Sequence, residues 1–121
     1  EGRLAVALVD AVPAGIYGKA ALQSLGLWDD LSARIVQTDN VRAALALVAL
    51  QEAAFGIVYA TDAQADDRVQ VVALLPDNLH PPILYPVAAL TEAGTGFVDF
   101  LASPQALALF ADHGFLPRAA P

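Results

Sequence analysis

Three short stretches carry groups that could hold an anion. The first is AVPAGIYGKA (11–20), where an apolar run at 3–9 ends at Asp10 and helix signals begin at Pro13. Its residues are so small that the N–H groups of Ala14 and Gly15 are left nearly bare. The second is TDNV (38–41), another strand-to-helix junction, in which Thr38, Asp39 and Asn40 are all cap-forming types. The third is Tyr59, a phenol at the C-terminal end of the otherwise apolar run AFGIVYA (54–60). Unpaired N–H groups at a helix start, with the helix dipole behind them, favour negative charge. In open α/β sheets, ligands sit at strand carboxyl ends beside such helix starts. Taken singly, each junction also reads as an ordinary helix cap, and Tyr59 as a half-buried packing residue.

Side chains for covalent chemistry are poorly placed. His80 lies in the turn-rich loop PDNLHPP, and His113 falls at a helix end, where it reads as a favourable C-terminal cation. Neither has a serine or carboxylate at triad spacing, and no HExxH-type metal pattern occurs. Asp66-Asp67 reads as a solvated loop rather than a metal site. Gly94-Thr95-Gly96 lacks the third glycine and the preceding strand of a dinucleotide fingerprint, so it reads as a turn before a helix. The chain has no cysteine, which excludes disulfides, thiolate zinc sites and Cys nucleophiles. No nucleophile–base pair can be named, so neither an enzyme nor a cofactor is expected.

The elements that must position these groups follow from the apolar pattern. Strands are expected at 3–9, 34–37, 54–60 and 69–75, with a further one at 83–90 in which Pro86 argues for an edge or a bend. TDAQADDR, between the third and fourth of these, reads as a loop or short helical turn. The first helix carries Ile16, Ala20, Ala21 and Leu25 on one face and stops at Gly26. The second starts after Asn40 and uses Val41, Ala44, Leu45, Leu47 and Val48. Two more, holding Phe97, Phe100 and Leu101 and then Ala106, Leu107, Leu109 and Phe110, are divided at Ser103-Pro104 and end at His113-Gly114. Strands alternating with helices imply an α/β layer architecture, a mixed sheet flanked by helices.

Composition sets the outer limits. Of 121 residues, 57% are hydrophobic and 16% charged, a rich core supply for one small domain. No run approaches the roughly 18 uninterrupted apolar residues of a membrane span. The net charge of −7, with six scattered Lys and Arg, gives no basic stripe, so nucleic acid is not an expected partner. Acidity does not exclude an anionic ligand, because local backbone dipoles can outweigh a distant net charge.

Read in order, VPAGIYGKAAL, LGLWDDL, DNVRAALALV, GIVYATDA, YPVAAL and SPQALALFADHGF resemble the periplasmic molybdate-binding proteins of ABC importers, over about residues 3–116. The resemblance implies one lobe of a type II periplasmic-binding-protein fold. Residues 1–90 would form the second ligand-binding lobe with its hinge strands. Residues 91–121 would form return helices that pack on an N-terminal lobe outside this chain. It implies an oxyanion, molybdate or tungstate, held by neutral donors: the backbone N–H groups of Ala14 and Val41 and the hydroxyl of Tyr59. It also implies a membrane permease as partner and a periplasmic location, with the targeting segment outside this chain.

With only part of the donor set, the chain is expected to bind weakly or not at all alone. Its apolar terminal helices are expected to associate as a homodimer, with exchange of those helices about a hinge near 86–94. Two other readings stay open. One is a receptor lobe for sulfate or an organic anion; an arginine aimed into the cleft would favour a carboxylate, and Arg42, one residue after Val41, is the only candidate. The other is a sensory or interaction module.

Overall fold

A computed structural model describes residues 2–116, which fall into two compact units, one up to Pro82 and one from Ile83 onward. In the first unit three short strands, β1 (Leu4–Ala7), β2 (Ile35–Thr38) and β3 (Phe55–Gly56), form a sheet in the order β2-β1-β3. Both ladders are parallel, with Leu4 opposite Ile35 on one side and Phe55 on the other. Helices α1 (Pro13–Ser24), α2 (Trp28–Leu31), α3 (Val41–Ala49) and α4 (Ala60–Gln64) alternate with the strands, as the α/β pattern predicts.

Successive residues of a strand face opposite sides of a sheet, and β1 shows it. Ala5 clusters with Ala44 and Ala53, with Leu47, Val48 and Val58 packed around them, so α3 covers that face. Val6 points the other way, towards Gly18 of α1, and is fully buried. Burying a valine side chain contributes on the order of 1.5–3 kcal/mol. The core is otherwise mostly alanine, which brings helices close to the sheet. Gly56 shows how close: a Cβ there would lie 2.9 Å from the Val48 methyl of α3.

The face of α1 differs from the expected one. Ala14, Gly15, Gly18, Ala21 and Leu22 are buried, whereas Ile16 and Leu25 are exposed. Both sets have helical spacing, and the small set wins because it lets α1 sit against Val6 and Ile57. Gly26, with φ of 69°, ends the turn after α1, as its position predicts. Gln51 takes the corresponding left-handed position after α3, with φ of 62° and its N–H bonded to the Val48 carbonyl. A residue with a Cβ is strained there by roughly 1–2 kcal/mol.

Two expected strands do not form. Residues 69–75 and 83–90 join no ladder among the described residues, and Val72, Leu74 and Leu90 are largely exposed. A strand exists only where a neighbour accepts its hydrogen bonds. The sheet is consequently parallel over its three described strands rather than mixed. The third strand is also shorter than 54–60, because the chain turns into α4 after Tyr59.

In the second unit a turn at Glu92–Gly94 leads into α5 (Thr95–Leu101), and α6 (Pro104–Asp112) follows. Ser103 caps α6 by accepting from Ala106 N–H at 3.3 Å, and Pro104 occupies its first turn, which explains the division there. Tyr85 and Phe110 both stack edge-on with Phe115. No helix among the described residues is long and apolar enough to cross a membrane.

Candidate functional site

All three strands run parallel, so their carboxyl ends lie on one edge of the sheet. Ala14 stands at the start of the helix after β1, Val41 is the first residue of the helix after β2, and Tyr59 directly precedes the helix after β3. The topology therefore brings the three expected donors to one edge. The β2-β1-β3 order adds a crevice between β1 and β3. The helix after β1 lies on the Val6 face, whereas α4, after β3, packs against α3 on the opposite face. Connections leaving neighbouring strands on opposite faces mark the ligand position of open α/β sheets.

The first two junctions leave backbone N–H groups at their helix starts, each in its own way. At α1 the preceding residue, Val12, has no side chain that could cap, and Pro13 has no N–H. Ala14 and Gly15 therefore carry the first N–H groups of the helix, which lack intrahelical acceptors. The loop before them is tied to β2. Leu8 N–H donates to the Thr38 carbonyl at 2.9 Å, and Val9 N–H donates to Gln37 Oε1 at 2.9 Å. Gly15 has no alternative at its position, since a Cβ would fall on the carbonyl oxygens of Ala7 and Leu8.

At α3 the cap-forming cluster behaves as its composition predicts. Asn40 Oδ1 accepts from Ala43 N–H at 2.9 Å, and Thr38 Oγ1 donates to the Asn40 carbonyl at 2.9 Å. The cap reaches the third N–H of the helix and so leaves that of Val41 in the first position. At α4, Tyr59 is half-buried and extended, with φ of −70° and ψ of 148°.

The charged side chains beside this edge come largely in pairs. Lys19 Nζ donates to Asp10 Oδ1 at 2.6 Å and lies 5.2 Å from the centre of the Trp28 ring. Arg42, next to Val41, donates from Nε to Asp62 Oδ1 at 2.6 Å. Asp62 is 6% exposed, so the guanidinium is held by a buried carboxylate three residues beyond Tyr59. That pairing was not legible in the sequence, because its partners are on separate helices. It gives Arg42, the cation on which a carboxylate-binding reading depended, a partner within the protein.

The remaining candidates lie elsewhere. Asp66 is tied to its own loop: Arg68 reaches it with Nε at 2.9 Å, Nη2 at 2.7 Å and its backbone N–H at 3.1 Å. The Arg68 side-chain bonds, then the backbone bond, hold the Asp66 carboxyl down at about 2, and the Asp66 carboxylate raises the Arg68 pKa in turn. The His80 ring lies 5.9 Å from that of Tyr17, tilted by 47° to it, and His113 Nδ1 lies 2.9 Å from the Leu109 carbonyl at the end of α6. A shallow cavity of about 190 Å³ lined by Gln23, Gly26, Trp28 and Asp29 is at the far end of α1.

Comparison with known proteins gives the family. Residues 1–116 match the model of the bacterial extracellular solute-binding proteins. The chain belongs to that family. As a solute-binding protein it is 48% identical over 118 residues to the molybdate-binding protein ModA of Escherichia coli, a match covering 94% of this chain and 46% of that protein. It is 40% identical over 108 residues to the molybdate-binding protein ModA of Haemophilus influenzae, covering 86% of this chain and 42% of that one. Among solved structures, a substrate-binding domain from Clostridium difficile, assigned to a molybdenum ABC transporter, superposes with a TM-score of 0.81. It is 31% identical and covers 97% of this chain and 53% of that one. The chain thus spans about half the length of the relatives it matches.

Proposed function

We propose that the chain supplies one side of a clamp for a tetrahedral oxyanion, molybdate or tungstate, in a binding protein that hands its cargo to the membrane permease of an ABC importer. The donors are the N–H groups of Ala14 and Val41 and the hydroxyl of Tyr59. The observation that carries this reading is their placement on one sheet edge, with the neighbouring guanidinium already neutralised by Asp62. The names of the relatives point the same way. Neutral donors suit a receptor that must release its ligand, because an empty site then leaves no buried unpaired charge. The activity is capture without covalent chemistry, in the periplasm. In this reading residues 1–90 are the ligand-binding lobe and 91–121 the return helices.

Magnitudes limit what the chain does alone. Three hydrogen bonds to a charged ligand, at roughly 1.5–3 kcal/mol each, total roughly 5–9 kcal/mol. Association costs about 4 kcal/mol or more. The remainder, at most about 1–5 kcal/mol, corresponds to millimolar affinity at best. Calorimetry tests both parts. The full-length protein is expected to bind molybdate and tungstate tightly and sulfate weakly, and the 121-residue chain to bind all three weakly. Tight binding of an organic anion in place of the oxyanions would overturn the assignment.

A homodimer is proposed for the isolated chain, with exchange of the terminal helices about 86–94. Its support is the apolar surface of the second unit, where Phe97 is 63% and Leu109 54% exposed. Large apolar patches mark association surfaces. Light scattering at tens of micromolar is expected to give twice the chain mass; a stable monomer would contradict it.

A further inference from the structure

We infer that Asp62 sets the anion selectivity of the Ala14–Val41–Tyr59 edge by silencing Arg42. The inference rests on the oxyanion-binding reading and assigns a role to two residues that touch no ligand in it. The arrangement is an inverted ion pair. The Asp62 side chain is 8% exposed, whereas that of Arg42 is 73% exposed. An arginine that only decorated the surface would not need a buried carboxylate, and a buried carboxylate is rarely kept without a partner. The pair also joins the first turn of α3, which presents Val41 N–H, to the first turn of α4, which follows Tyr59.

Two consequences follow from the charges. With Asp62 in place, an anion on this edge meets dipolar donors, and selection falls to geometry: the distance between the Val41 N–H and the Tyr59 hydroxyl. Without it, a guanidinium with five donors is released beside Val41. A guanidinium forks its paired N–H donors onto tetrahedral oxyanions and carboxylates alike. Asp62 and Arg42 are therefore positioning residues whose effect is on selectivity.

The test uses calorimetry of the full-length protein with molybdate, sulfate and acetate as probes, for the wild type and the variants Asp62→Asn, Arg42→Gln and the double variant. Asp62→Asn is expected to lower the molybdate-to-sulfate affinity ratio at least tenfold, with sulfate binding gained and strongly salt-dependent. The double variant, which carries neither charge, is expected to restore the ratio to within about threefold of the wild type. A purely structural pair would weaken both anions together and leave the ratio unmoved, which would overturn the inference. So would a double variant as unselective as Asp62→Asn. A wild-type protein that binds neither oxyanion would overturn the oxyanion reading and this inference with it.

Discussion

Gly15 lies so close to the end of β1 that a Cβ on it would strike the Ala7 carbonyl oxygen. The contact explains why the turn into α1 is made of small residues. The helix start is pressed against the strand it leaves, and its N–H groups are thereby held at the sheet edge. Gly15→Ala should destabilise the chain by roughly 1–3 kcal/mol, the usual range for overpacking. The obstructing atoms are backbone and cannot rotate away. Urea unfolding checks the stability, and molybdate affinity should fall with it in the full-length protein, because Ala14 is displaced.

Asn40→Ala removes the side-chain acceptor that caps α3 and should cost about 0.5–2 kcal/mol, whereas Asn40→Gly should cost only a few tenths. Thermal unfolding of the two variants distinguishes a lost cap from a general loss of packing at the junction.

That cap belongs to the part of the protein that its sequence reveals. Thr38-Asp39-Asn40 is a local signal, as are Pro13, Gly26 and Ser103-Pro104, and each acts where its type predicts. The junctions that carry Ala14 and Val41 were legible for the same reason, since a strand-to-helix junction is a local event. Long-range choices were not. Whether α1 buries Ile16 and Leu25 or Gly15 and Gly18 depends on how near the sheet lies. Apolar runs such as 69–75 describe readiness to pair, and pairing needs an edge that the run itself does not encode. The Arg42–Asp62 pair joins two helices across the intervening strand. Its only trace in sequence was a cation beside Val41, which pointed to the opposite role.

The Asp66–Arg68 pair gives a pH-dependent expectation. The Asp66 carboxyl titrates at about 2 in the folded chain against an ordinary value of 3.8. A depressed carboxylate pKa stabilises the fold above the ordinary value, and that contribution fades as pH falls through about 2. Carboxyl NMR should place the Asp66 midpoint well below those of exposed aspartates. In Arg68→Ala the midpoint should return towards 3.8, and the stability difference between the two proteins, measured by urea unfolding, should shrink as pH falls from 3.8 through about 2.

Tyr59→Phe removes one hydroxyl and little volume. Loss of one hydrogen bond to a charged ligand, about 1.5–3 kcal/mol, corresponds to molybdate binding weakened roughly 10- to 150-fold in the full-length protein. Titration calorimetry reads the change, and circular dichroism should show an unaltered fold.

The central claim is that backbone donors from separate junctions meet on one anion. Amide NMR of the full-length protein titrated with molybdate tests it most directly. The Ala14 and Val41 N–H resonances, 27 positions apart in the chain, are predicted to shift downfield together with one shared midpoint. Shifts confined to one of the two, or to neither while molybdate binds elsewhere, would contradict it.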